Sequence, residues 1–109
     1  MAVSNDPAAL GRAAIDAASS GDNTLLAAVT GKRIRVHSLF AVSAGTVTVR
    51  FESAAGGTAL TGQMTMAANT GFVLPHNPAG WFETAAGELL NMELSGAVSV
   101  DGSFTYSIV

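Results

Sequence analysis

The chain has 109 residues, 49% of them hydrophobic and 12% charged, with 5 basic against 8 acidic groups, a net charge of -3, no cysteine and one tryptophan. Five scattered cations are too few to neutralise a phosphate backbone, which argues against a nucleic-acid partner, and the lack of cysteine removes disulfides, zinc-thiolate sites and thiol catalysis. No window approaches 18 uninterrupted apolar residues, and Met1 to Leu10 lacks a basic stretch followed by an apolar one, so neither a membrane span nor a signal peptide is expected.

A chain of this length supports one modest core, burying roughly 65% of its unfolded surface. Leu, Ile, Val and Phe fill 27 of 109 positions, above the roughly 20% below which disorder is expected. Ala, Gly, Ser and Thr supply 52 of them, which predicts a thin core of small side chains and suits a surface module better than an enzyme.

In chain order, residues 1–20 come first as an alanine-rich arm, compatible with a short helix or with an extended segment that places Ala13, Ile15 and Ala17 on one side and Arg12, Ala14 and Asp16 on the other. Ser20-Gly21-Asp22-Asn23 separates this arm from a domain over residues 21–109, which begins with a segment Thr24 to Val29. From Gly31 the hydrophobic period is two, and turn residues recur at the spacing of β-sandwiches and barrels. In Lys32 to Ser43 the expected core face is Ile34, Val36, Ser38, Phe40 and Val42, with Arg33, Arg35, His37, Leu39 and Ala41 turned outward. Ser43-Ala44-Gly45 then predicts a hairpin into Thr46 to Glu52, which directs Val47, Val49 and Phe51 inward and Thr46, Thr48, Arg50 and Glu52 outward.

Short strands are expected around Thr58 to Thr61, Gln63 to Ala67 and Phe72 to Leu74, after which Pro75 and Pro78 make a loop of Pro75 to Gly80 because proline cannot donate to a ladder. Trp81 and Phe82 open the next run with one ring inside and one outside. Leu90, Met92 and Leu94 alternate with Asn91 and Glu93. The dipeptide Asp101-Gly102 predicts a two-residue hairpin turn between Val98 to Val100 and the alternating Phe104, Tyr106 and Ile108. The expected fold class is all-β, an antiparallel β-sandwich with jelly-roll-like character and an irregular or short-helical N-terminal arm.

The search for catalytic chemistry is largely negative. Thr30-Gly31-Lys32-Arg33 lacks the upstream glycine and the hydroxyl residue of a phosphate-binding loop. The two histidines, His37 and His76, stand far apart in sequence and without metal-ligand spacing. They read as solvated side chains, and folding would have to bring them to Glu83 or Asp101 to make a metal site. Asp22 and Asp101 read as turn formers. Glu52 and Glu93 fall on outward faces where an arginine partner is expected. No catalytic pair, cofactor or metal is therefore expected.

What remains is surface. Arg33 and Arg35 share one face, Leu39 extends it as an apolar residue on a basic stripe, and such a face marks a subunit or partner contact. Arg12, Ile15 and Asp16 of the arm are the other contact candidates. Trp81, with His76 and Asn77 beside it, is the alternative, a platform for stacking on sugar.

The strings Ser20-Gly21-Asp22-Asn23-Thr24-Leu25-Leu26-Ala27-Ala28-Val29, Gly31-Lys32-Arg33-Ile34-Arg35-Val36, Phe51-Glu52-Ser53, Gly57-Thr58-Ala59-Leu60-Thr61-Gly62, Phe82-Glu83-Thr84-Ala85-Ala86-Gly87-Glu88 and Leu94-Ser95 resemble small β-structured virion proteins of tailed bacteriophages, over about residues 20–109. Within that group the resemblance implies a head decoration, or cement, protein. It would be synthesised in the host cytoplasm, form a homotrimer, and bind the major capsid protein on the outer surface of the phage head as a non-enzymatic structural protein. Similar strings also occur in tail and fibre proteins, which implies the glycan-binding module as the alternative.

Overall fold

A computed structural model describes residues 10–109. Ten strands run through the described residues: β1 Gly11–Ala17, β2 Gly21–Leu26, β3 Ile34–Ser43, β4 Val47–Ser53, β5 Thr58–Ala59, β6 Met64–Met66, β7 Gly71–Leu74, β8 Phe82–Glu83, β9 Leu90–Leu94 and β10 Val100–Ile108. The first sheet has the order β1-β10-β3-β7, with β8 also on β3; the second has β2-β9-β4-β5, with β6 also on β4. All pairings are antiparallel. Successive strands β1 to β4 alternate between the sheets, and β9 and β10 return to lie between the earlier strands of each. This is the jelly-roll-like connectivity of a two-sheet sandwich.

The core lies between the sheets. Ile15, Ile34, Val36, Leu39 and Phe104 of the first sheet meet Val49, Phe51, Leu90, Met92 and Leu94 of the second, each 2% exposed or less. Phe82 stacks on Phe51 with ring centroids 4.9 Å apart, while Trp81, its neighbour, is 44% exposed. One ring is thus in and one out, as alternation requires.

Residues 11–17, expected in an arm outside the sandwich, form the edge strand β1, pairing with β10 from Gly11 opposite Tyr106 to Ala17 opposite Val100. Of the two conformations open to this segment, the extended one is found, and Ile15 and Ala17 are core residues. Residues 1–9 of the expected arm lie outside the described residues.

Three further expectations are corrected. β3 does not keep one inward face. Ile34 and Val36 point in, but beyond them Leu39, Ala41 and Ser43 are buried while Phe40 and Val42 are each 50% exposed. The cause is a β-bulge: Val36 opposes Tyr106 and Ser38 opposes Thr105, so His37 is an extra residue with no counterpart on β10. One inserted residue turns every later side chain to the opposite face.

The second correction concerns Ser43-Ala44-Gly45, which joins strands of different sheets rather than closing a hairpin. The third concerns Asp101-Gly102, which lies inside the continuous strand β10. Neither Gly45 nor Gly102 has the positive φ that a primed two-residue turn demands. Gly102 serves instead as a point of close approach, lying opposite Ile15 on β1 and Ala41 on β3.

A Cβ at Gly102 would fall inside the van der Waals shell of the Phe40 carbonyl oxygen, whereas one at Gly96 would meet nothing within 4 Å. Gly102→Ala is therefore expected to lower stability by about 2 kcal/mol or more. Gly96→Ala should leave it within about 0.5 kcal/mol of the wild type. Urea unfolding of the two variants makes the comparison.

Candidate functional site

Because β1, β10, β3 and β7 are in register, the outward side chains of the first sheet fall into rows that run across the strands. Arg12, Thr105 and Ser38 form one row. Ala14, Ser103, Phe40 and Val73 form the next, and Asp16, Asp101, Val42 and Gly71 the third. Phe40 and Val73 are directly opposed, at 50% and 71% exposure, and Val42 lies beside them. The bulge at His37 is what turns Phe40 and Val42 to this side. The face is apolar at its centre, with an open groove of about 410 Å³ between Arg12, Phe40, Val73 and Pro75.

The charges on this face are separated. Arg12 is exposed at one end, while Asp16 and Asp101 are exposed register partners at the other. Two carboxylates directly opposed across strands repel, and none of Arg12, Asp16 and Asp101 makes an ion pair among the described residues. Arg12 and Asp16 are four residues apart on one strand, about 13 Å, too far to pair with each other.

Of the contact residues proposed from sequence, Arg12 and Asp16 thus lie on one exposed face. Ile15 and Leu39 are 2% exposed and belong to the core, so neither can form a contact surface. Ile15 shares the inward side of β1, and the bulge places Leu39 inward. Arg33 and Arg35 are tied to Glu83 of β8, at 3.8 and 3.0 Å. Sequence reasoning missed Phe40, Val42 and Val73 as surface residues. For Phe40 and Val42 the only local signal was that a polar residue, Ser38, shared their expected inward face; for Val73 there was none.

The two histidines are adjacent in the fold, their rings stacked at 5.8 Å. His37 is not solvated but 5% exposed. Its Nδ1 lies 2.9 Å from the Asn77 carbonyl oxygen, so that nitrogen carries the proton, and its Nε2 accepts from the Ser107 hydroxyl at 2.7 Å. The imidazole clamps the Pro75 to Gly80 loop onto the sheet at the bulge. Asn77 N–H donates to the His37 carbonyl at 2.9 Å, and Trp81 closes the loop by donating its indole N–H to the Pro75 carbonyl at 2.7 Å. His76, Asn77 and Trp81 are brought together here, with the Trp81 ring partly exposed. Neither Glu83 nor Asp101 joins the histidines in a metal-binding set, and among the described residues no group of three or more His, Asp and Glu is so placed.

The outer face of the second sheet is polar. Glu52, expected to be solvated, is fully buried. One carboxylate oxygen accepts from Arg50 at 2.9 Å and the other from Asn91 Nδ2 at 2.9 Å. Asn91 also donates to Asp22 at 3.0 Å, and Arg50 reaches Glu93 at 2.6 Å. The arginine partner expected for Glu52 and Glu93 is present, and for both it is Arg50. Asn91 Oδ1 is buried without a partner among the described residues, because both amide hydrogens are engaged by carboxylates and the opposite orientation would set oxygen against oxygen. Burial pushes the Glu52 carboxyl up, but the bonds donated by Arg50 and Asn91 and the charge of Arg50 outweigh it, and the group titrates below its ordinary 4.5.

Compared with protein families, with curated proteins and with solved structures, the chain matches none of them.

A carboxyl held below its unfolded value contributes stability that is present above about pH 4.5 and is lost as the pH falls through the lower folded value. Glu52→Gln is expected to cost about 2 kcal/mol at pH 7, where charged hydrogen bonds are removed, and to flatten the acid limb of a melting temperature against pH curve between pH 5 and 3. A variant with the acid limb of the wild type would show that Glu52 does not carry it.

Proposed function

We propose that this protein is a non-enzymatic virion structural protein of a tailed bacteriophage, a homo-oligomer that decorates the outer surface of the assembled head by binding the major capsid protein and so stabilises the shell. The observation that carries the reading is the exposed apolar cluster of Phe40, Val42 and Val73 on the outer face of the first sheet. A surface of that kind is an interaction site rather than a reaction site. The resemblance of the strings over residues 20–109 to phage virion proteins supplies the context, and a jelly-roll-like sandwich suits a module that reinforces a lattice through its faces. The mechanism is mass action: a ligand that binds only the assembled shell stabilises it by about 2.7 kcal/mol at a hundredfold excess over the dissociation constant. Several contacts on one oligomer multiply the attachment.

A second reading, a tail or fibre module that binds host glycan, is favoured by one observation. Trp81 is 44% exposed beside His76 and Asn77, with its indole N–H already engaged and its ring face left to stack.

The tests are separate. Mixed with heads stripped of decoration, the protein should co-sediment with them and raise their melting temperature, and Phe40→Ser should weaken the co-sedimentation; a protein that stays in the supernatant refutes the decoration reading. Titration with host polysaccharide should leave the fluorescence of Trp81 unchanged, and a saturable change would transfer the assignment to the glycan module.

A further inference from the structure

We propose that the outer face of the first sheet seats the same face of a second copy, forming a two-fold symmetric dimer. Such a dimer stands independently of the virion reading and competes with it for the same residues, since a face closed by a second copy is not open to the capsid; it also departs from the threefold assembly that the resemblance implies.

The face is self-complementary in a definite way. Its central row, Ala14, Ser103, Phe40 and Val73, is apolar or small, with Arg12 one row to one side and Asp16 and Asp101 one row to the other. Adjacent rows are two residues apart along the strand, about 6.6 Å, so the cation and the two anions are equidistant from the central row. A two-fold axis lying in the interface and running along that row turns one copy over onto the other. Phe40 and Val73 then meet their own counterparts across the axis. The Arg12 row of each copy lies over the Asp16 and Asp101 row of its partner. An isologous contact of this kind uses each residue twice and closes on itself.

Three features of the isolated chain are accounted for together. Phe40, Val42 and Val73 leave water. The repulsion between Asp16 and Asp101, opposed in register, is relieved by a guanidinium placed over them. Arg12, whose own Asp16 lies beyond reach, acquires partners. Two sheets stacked face to face pack about 10 Å apart, a spacing that side chains of this size fill.

The test is the mass of the full chain by light scattering and sedimentation at micromolar concentration. A dimer of about 22 kDa, twice the 11.0 kDa of one chain, is expected, weakening with salt because the Arg12 and aspartate contacts are screened. Phe40→Ser and Arg12→Asp should each raise the dimer dissociation constant at least tenfold. The double variant Arg12→Asp with Asp16→Arg should recover most of the loss, a rescue that a general effect on folding does not produce. Val73→Ser serves in place of Phe40→Ser if that variant melts well below the wild type. A monomeric or trimeric full chain overturns the proposal, as does a dimer indifferent to all of these substitutions. A monomer that dimerises only after residues 1–9 are deleted would assign the face to that segment instead.

Discussion

β3 carries one residue more than β10 along the stretch they share, and the presentation of the whole first sheet depends on how that residue is held. His37 occupies the bulge, buried, with its ring bonded to the Asn77 carbonyl and the Ser107 hydroxyl. A bulge left unsupported would cost a ladder bond and leave a buried imidazole without partners. Here the imidazole bonds link β3, β10 and the proline-rich loop at one point. Downstream of it Leu39, register partner of Phe104, and Ala41 turn into the core, and Phe40 and Val42 are handed to the surface. The interior and the apolar face are therefore two results of one register shift.

The two sheets divide the polar work unequally. The outer face of the second sheet is closed by the Arg50, Glu52, Asn91, Asp22 and Glu93 cluster, in which most charges have partners and one carboxylate is fully buried. Such a cluster is stable only when nearly every group in it is bonded, which makes this face self-sufficient. The outer face of the first sheet is the reverse, with exposed apolar side chains at its centre and charges at its ends that make no ion pairs among the described residues. A face left in that state is where association relieves most free energy, and both the shell-binding and the self-pairing readings follow from this asymmetry.

The basic stripe of Arg33 and Arg35 shows how a local charge pattern misleads when its partner is distant in sequence. Both arginines converge on Glu83, nearly 50 residues away, because β8 is laid against the start of β3 with Arg35 opposite Glu83. One carboxylate thus serves both arginines, at 3.0 Å from Arg35 and 3.8 Å from the half-exposed Arg33. Arg12, by contrast, is a contact candidate of the N-terminal arm by sequence, and the pairing of β1 with β10 sets it on the outer face of the first sheet.

Alternation with a period of two, glycine and proline punctuation and the supply of β-branched and aromatic residues determined by themselves that the chain is an antiparallel β-sandwich. They also determined that Val47, Val49, Phe51, Leu90, Met92 and Leu94 face inward, since β4 and β9 pair with each other in unbroken register and the pattern is local. Only the tertiary structure decided that Ser43-Ala44-Gly45 crosses between sheets, that Asp101-Gly102 lies within a strand, and that Phe40 and Val42 are outside. Each of these depends on which strand lies alongside. A bulge is a mismatch between two chains' residue counts, a glycine's purpose depends on the backbone that approaches it, and a buried carboxylate such as Glu52 is affordable only where Arg50 and Asn91 arrive from elsewhere in the fold. None of those quantities is present in any one segment of sequence.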